Sequence, residues 1–288
     1  MQTPPRDAVE SYLQHLLKTG RYSTSTLRSY RADLEHYKAD CTAKKVDVRK
    51  PTQADTRVYV QSLSECLKPS SLRRRISVLR YFYQFLIEQG CATSCPLADV
   101  VAPPYRELEE SRPPLTGSEL EQLLDAAADG DSGLHLRDVA IIRVLSDVGL
   151  LASECAQLSL SSFDAAHGCL RICDAGRLKR VVPLSSKTCA SITDWLTVRH
   201  EFLTTSSSAN VRGVLFLGYR STRLTERSIS RMIANCGKRA GHAQVLCAQS
   251  LRNTCATRLS QEGRTTKEIQ DMLGHVRKDS TRLMLKRL

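Results

Sequence analysis

Aromatic side chains are scarce in this sequence, at 5% of 288 residues, and Trp195 is the one tryptophan. No apolar run approaches the roughly 20 residues that a bilayer-crossing helix needs. The first twenty residues, MQTPPRDAVESYLQHLLKTG, lack the basic-then-apolar layout of a signal peptide. A soluble, cytoplasmic protein without a membrane partner is expected. There is no internal repeat and no low-complexity segment. No CxxC pair occurs among the eleven cysteines, which are scattered and odd in number. Cys91 and Cys95, and Cys169 and Cys173, stand four apart, without a CxxC partner that would make a zinc site. They read as reduced thiols acting as small apolar residues. No metal and no other cofactor is expected.

Positive charge is abundant. The net charge is +12 and the isoelectric point lies near 9.3. Lysine and arginine are spread through the chain, not gathered in a tail, and a folded basic surface attracts polyanions, nucleic acid above all. An apolar share of 41% is ample for packed cores, and the length suggests two domains.

Helical spacing dominates the first hundred residues. Val9, Tyr12, Leu13, Leu16 and Leu17 recur on one face of AVESYLQHLLKTG. STSTLRSYRADLEHYKAD opens with hydroxyl caps and aligns Leu27, Tyr30, Leu34 and Tyr37. PTQADTRVYVQSLSE enters through Pro51 and Thr52. SSLRRRISVLRYFYQFLIEQG starts at Ser70 and Ser71, carries a stripe from Leu72 to Leu86, and stops at Gly90. Residues 96–114, PLADVVAPPYRELEESRPP, are proline-rich and aperiodic and read as a linker. A first domain over 1–100, a linker over 101–115 and a second domain over 116–288 follow. The second opens with a capping box, Thr116 and Glu119. Helices are expected at 135–147, 187–202, 225–240, 250–262 and 266–273. Between them CLRIC, the turn DAGR and KRVVPL switch to a period of two, a β-hairpin. The predicted class is mainly α, with one small antiparallel sheet in the second domain.

Two places carry candidate chemistry. Arg73, Arg74, Arg75 and Arg80 lie on a helix whose other face is apolar, and the arginine fork suits phosphate. A solvated basic face competes with that reading, and for one isolated helix the solvated face has the edge. In AQSLRNTCATRLSQEG, Arg252 falls near a helix N-terminus, a ready anion site. TTKEIQDMLGHVRKDS forms a second short helix closed by Gly274, with His275 just beyond it. Two helices joined at Gly263 could bring Arg252 and His275 together. Spacing alone favours a surface arginine and a capping histidine.

The order of these parts resembles the tyrosine recombinases of the Xer and phage-integrase type, over almost the whole chain. STLRSYRADLEHY and SSLRRRISVLRYFYQFLIEQG are similar to the family's SAM-like core-binding domain. RDVAIIRVLSDVGLLASECAQLSL, DAGRLKRVVPL, VLFLGYRSTRLTERSISRMI, SLRNTCATRLSQEG and IQDMLGHVRKDST are similar, in the family's order, to segments of its catalytic domain. The resemblance implies a double-stranded DNA partner clamped between two domains, a second recombinase protomer, and a tyrosine that attacks a phosphodiester to form a 3′-phosphotyrosyl link. Two arginines, a lysine and histidines would stabilise the transition state.

Carried over residue by residue, that chemistry is mostly missing. Thr-Gly-Leu-Arg-x-Ser-Glu reads VGLLASE at 148–154, so Leu151 stands for the first arginine while Ser153 and Glu154 remain. Ala175 stands for the hairpin lysine, Gln249 for the first histidine and Met284 for the tyrosine. Arg252 and His275 remain. No tyrosine follows Tyr219, so a shifted register does not restore the nucleophile. Arg177 and Lys179 share a strand face with Ala175 if the hairpin alternates; both are expected DNA contacts, and Lys179 would need a displaced turn to act as the lysine. The sequence stops four residues after Met284, where the family usually continues into a tail that docks on a neighbouring protomer. Losing an acid and a transition-state cation costs on the order of 100-fold or more each. The expectation is a recombinase fold without recombinase chemistry, a DNA-binding non-cutting partner or regulator. An active recombinase that borrows residues from a partner, and an interaction module that no longer binds DNA, are the alternatives.

Overall fold

The computed structural model describes every residue except 1–6, 21, 23, 105–112, 131–132, 175, 206, 220, 276–277 and 288. Contacts divide the chain into two units, Met1–Glu107 and Leu108–Leu288.

The first unit holds four helices, α1 (Ala8–Thr19), α2 (Thr24–Ala43), α3 (Gln53–Cys66) and α4 (Pro69–Glu88). Local signals set their ends. The Asp7 carboxylate accepts from the Val9 amide at 3.0 Å, and Gly20 closes α1 in the left-handed region. Thr52 and Asp55 form a reciprocal capping box on α3. The start of α4 differs from the sequence reading: Pro69 occupies the first turn and Lys68 the cap, ahead of Ser70 and Ser71. Proline is favoured there because its missing N–H would be unpaired anyway.

Leu13, Leu34, Tyr37, Tyr59, Ile76, Leu79, Phe82 and Tyr83 fill the core. The tyrosine hydroxyls inside it are satisfied in series: Tyr37 and Tyr83 meet at 2.8 Å, and Tyr83 donates to the Val48 carbonyl at 2.8 Å. The proline-rich stretch begins as part of this unit. Leu97 is fully buried, and Thr56 donates to the Pro96 carbonyl at 2.9 Å. Residues 96–103 are thus bound to the helices; residues 105–112 lie outside the described residues.

The second unit runs α5 (Gly117–Ala128), α6 (Leu134–Val148), α7 (Ala152–Gln157), β1 (Phe163–Asp164), β2 (Cys169–Asp174), β3 (Arg177–Pro183), α8 (Ser186–Val198), α9 (Ala209–Arg212), α10 (Glu226–Arg239), α11 (Ala248–Gln261), α12 (Thr266–Leu273) and α13 (Lys278–Arg287). The sheet is antiparallel in the order β1-β2-β3. The apolar helix α6 is the hub, packed against α5, α8 and α11. In the irregular chain at 212–217, Val214 to Leu217 are buried, and several carbonyls are occupied. Arg199 Nη2 donates to the Arg212 carbonyl at 2.7 Å, Trp195 Nε1 to Leu215 at 2.9 Å, and Arg137 Nη1 to Leu217 at 2.8 Å.

The mainly helical class with one small sheet is as the sequence predicts. Strand β1 and helices α7, α9 and α13 are additional. The first three are too short for a periodic signal. In α13 the apolar contribution is only Met284 and Leu285 against the cluster of Cys255, Ala256, Leu259, Ile269 and Leu273. The register of the hairpin also differs from simple alternation. Ile172 pairs with Arg180 and Cys173 with Leu178, which leaves Lys179 as an unpaired bulge residue.

Candidate functional site

Arg252 and His275 meet at the turn that follows α12. Arg252, on α11, is 2% exposed. Its Nη1 donates to the Gly149 carbonyl and its Nη2 to the Leu273 carbonyl at 2.8 Å. The predicted surface position of this arginine is therefore corrected to a buried one. An isolated buried cation is costly, and two carbonyls plus the nearby Glu154 carboxylate offset that cost. Burial lowers the guanidinium pKa to about 10, opposed by Glu154, and leaves it charged at neutral pH.

The two carbonyls are available because of two glycines. Gly149 ends α6 at φ +67, and a Cβ there would overlap the Leu273 side chain. Gly274 ends α12 at φ +72, and a Cβ there would run into the Arg180 guanidinium. Both conformations are open to glycine and strained for other residues.

Arg180 is the site residue that the sequence reading missed. It faces inward on β3, on the same side as buried Val182. Its Nη1 and Nη2 donate to the two Glu154 oxygens at 2.6 and 2.9 Å, and Nε donates to the Met272 carbonyl at 2.9 Å. Burial pushes the Glu154 pKa up, but the fork of Arg180 and the Leu151 amide at 3.0 Å outweigh it and hold the carboxyl below its usual range. The signal for Arg180 was its spacing of two from Val182, an apolar residue in a strand.

His275 Nδ1 lies 2.8 Å from Thr281 Oγ1, and Thr281 is fully buried on α13. Burial, then the charges of Arg252 and Arg180, lower the imidazole pKa to about 4, so the ring is neutral at pH 7. Two cations and one carboxylate leave this centre with a surplus positive charge and hydrogen-bond donors, a combination that suits an oxyanion.

Leu151 is 43% exposed. It lines a cleft of about 460 Å³ with Ser153, Glu226, Cys247, Gln249 and Arg252. The Gln249 amide donates along its own helix to Asn253 at 2.9 Å. Met284 packs on the apolar cluster beneath α13. Ala175 lies outside the described residues. Arg177 and Lys179 are exposed on β3, and Lys179 pairs with Asp174 at 2.8 Å.

In the first unit, the arginine run of α4 turns inward. Arg75 Nε donates to Asp33 Oδ1 at 3.1 Å, and Arg74 Nη2 reaches the same oxygen at 3.2 Å, with Asp33 2% exposed on α2. Arg80 donates to the carbonyls of Leu97 and Val100, at 3.3 and 2.5 Å, and Arg73 to that of Pro103. Of these four only Arg74 is exposed, with 45% of its side chain open to solvent. These four arginines act as staples within the first unit, so the stripe is not simply a solvated face.

A two-unit chain with this helical first part, and with arginine, histidine and glutamate gathered around a three-stranded sheet in the second, defines the tyrosine recombinase class. The profile of the phage integrase family matches residues 114–284, and that of the phage integrase N-terminal SAM-like domain matches residues 9–90. The chain belongs to this family. It is 31% identical over 278 residues to the tyrosine recombinase XerC of Halalkalibacterium halodurans, covering 96% of this chain and 91% of that one. It is 30% identical to the tyrosine recombinase XerD of Bifidobacterium longum, covering 95% and 90%. Among solved structures, the XerH site-specific recombinase bound to palindromic difH substrate matches with a TM-score of 0.74 at 17% identity, covering 98% and 82%. A lambda integrase dimer bound to a COC′ core site matches with a TM-score of 0.67 at 17% identity, covering 95% of each.

Proposed function

We propose that this protein binds double-stranded DNA through phosphate contacts but does not cut it, and acts as a non-cutting partner or regulator in site-specific recombination. The single observation that carries this reading is Met284. It stands at the position that matches the family's tyrosine, and its thioether is packed against an apolar cluster. A thioether is no nucleophile toward phosphorus here. Leu151 removes a cation that would face the developing charge, at a cost of about 100-fold or more. Arg252 and His275 are still held as a phosphate site would require, and the net charge of +12 favours a polyanion. Named relatives are recombinases, and one solved relative is a lambda integrase tetramer bound to a Holliday junction. A second recombinase protomer is accordingly the expected protein partner.

The test has two stages. Footprinting on fragments of the protein's own genomic DNA recovers a bound site. A nicked suicide substrate built on that site then traps any covalent intermediate. The expected result is retention without a covalent adduct. Met284→Tyr alone stays inactive, because groups that act as a unit are strongly non-additive. The four-fold revertant with Leu151→Arg, Ala175→Lys, Gln249→His and Met284→Tyr recovers some cleavage, and Arg252→Ala abolishes it. A covalent adduct on the unmutated chain alone overturns the proposal.

A further inference from the structure

We propose that the Thr281 hydroxyl donates to His275 Nδ1 and so holds the imidazole as its Nε2–H tautomer, which presents the ring's one proton to a DNA phosphate oxygen beside Arg252. This rests on the phosphate-binding reading above.

The argument starts from proton counting. A neutral imidazole carries one N–H, and its second nitrogen can only accept. A phosphate oxygen can only accept, so the ring serves it through one tautomer and not the other. Which nitrogen holds the proton is set by the partner of the opposite nitrogen. Here that partner is a hydroxyl 2.8 Å from Nδ1, on a threonine that is fully buried. Nε2 has no partner among the described residues and is not a sealed, unpartnered atom, so it opens to solvent. The ring cannot swing away freely. The His275 amide donates to the Gln270 carbonyl at 3.1 Å, and Gln270 Nε2 returns a bond to the His275 carbonyl at 2.9 Å. Arg252 is tied to the carbonyl of Leu273, two residues before His275, so the arginine and the ring are referred to one short piece of backbone. Among the described residues, Arg252, Arg180 and Glu154 are the charged groups that act on the ring. Thr281 is a positioning residue: it acts on phosphate only through His275. The same bond ties α13 to the end of α12, so the helix that carries Met284 also sets the donor at His275.

The experiment is long-range nitrogen–proton NMR of the full chain labelled in its seven histidines, with His275 assigned by His275→Gln. The unmutated protein is expected to have Nε2 protonated and Nδ1 bare at pH 7. Thr281→Val keeps the shape but cannot donate, and should give a mixed or Nδ1–H ring. Thr281→Ser should restore the Nε2–H form, which separates hydrogen bonding from packing. Affinity for the footprinted duplex should fall about 3- to 10-fold in Thr281→Val, the worth of one hydrogen bond, and Thr281→Val should add nothing in a His275→Gln background. An Nδ1–H ring in the unmutated protein, or an unchanged tautomer in Thr281→Val, overturns the proposal. If the unmutated chain binds no DNA, the function proposed above fails while the tautomer spectrum still decides the role of Thr281.

Discussion

Arg75→Gln and Arg74→Gln should separate two jobs that the arginine run combines in the sequence. Both side chains meet Asp33, whose side chain is 2% exposed, but they meet it differently: the Arg75 side chain is 13% exposed and that of Arg74 is 45%. Removing one member of a buried ion pair costs about 3–5 kcal/mol. Arg74 still compensates Asp33 after Arg75 is lost, so about 2–3 kcal/mol is expected for Arg75→Gln. For Arg74→Gln the exposed-pair range applies, about 1 kcal/mol or less. DNA binding should move the other way. Of the two, Arg74 is the one exposed enough to meet a phosphate, so Arg74→Gln should reduce the slope of log affinity against log salt by about 1, and Arg75→Gln should leave it unchanged. Hydrogen exchange of peptides from α2 and α4 reads the first effect. Emission of Trp195, in the second unit, is the internal control. Equal exchange in both variants, with a reduced slope for Arg75→Gln, would refute the staple assignment. A triple alanine variant that includes Arg73 is less informative, because lost folding would mimic lost contact.

Three further outcomes are expected. Gly149→Ala should destabilise the second unit by about 2–4 kcal/mol, from left-handed strain and overlap with Leu273, read as a lower urea midpoint of Trp195 emission. Because the His275 pKa falls from 6.5 to about 4 on folding, the unfolded chain binds the extra proton between those values; stability is full above pH 6.5 and declines toward pH 4, and His275→Gln should flatten that decline in unfolding curves taken at successive pH values. Limited proteolysis should cut first between residues 104 and 114, since residues 96–103 are hydrogen-bonded to α3 and α4; first cleavage inside 96–103 or 116–160 would count against that boundary.

Elements with strong local periodicity were legible in the sequence: α1 to α4, the capping box at Thr116, the β2–β3 hairpin and the helix α11. The roles of arginine were not. Arg74, Arg75 and Arg252 look like surface residues because their acceptors are distant in sequence: Asp33 lies 41 residues from Arg74, and Gly149 lies 103 residues from Arg252. Burial of a charge depends on partners that only the fold brings together. Arg180 was hidden for a related reason, since its partners Glu154 and Met272 lie 26 and 92 residues away. The bond from His275 to Thr281 joins residues six apart that no single helix carries, beyond what helical periodicity on either side encodes.

Arg252 also has a structural job that is independent of any ligand. Its guanidinium closes the ends of α6 and α12 by capping a carbonyl on each, so the chain has a reason to keep it whether or not a phosphodiester ever arrives. A residue with two employers is poor testimony about either. Leu151 is different: its side chain reaches solvent and closes no helix end, so folding places little demand on its identity. In this chain Leu151 is therefore the position freer to vary, while Arg252 is fixed by the two helix ends that it caps.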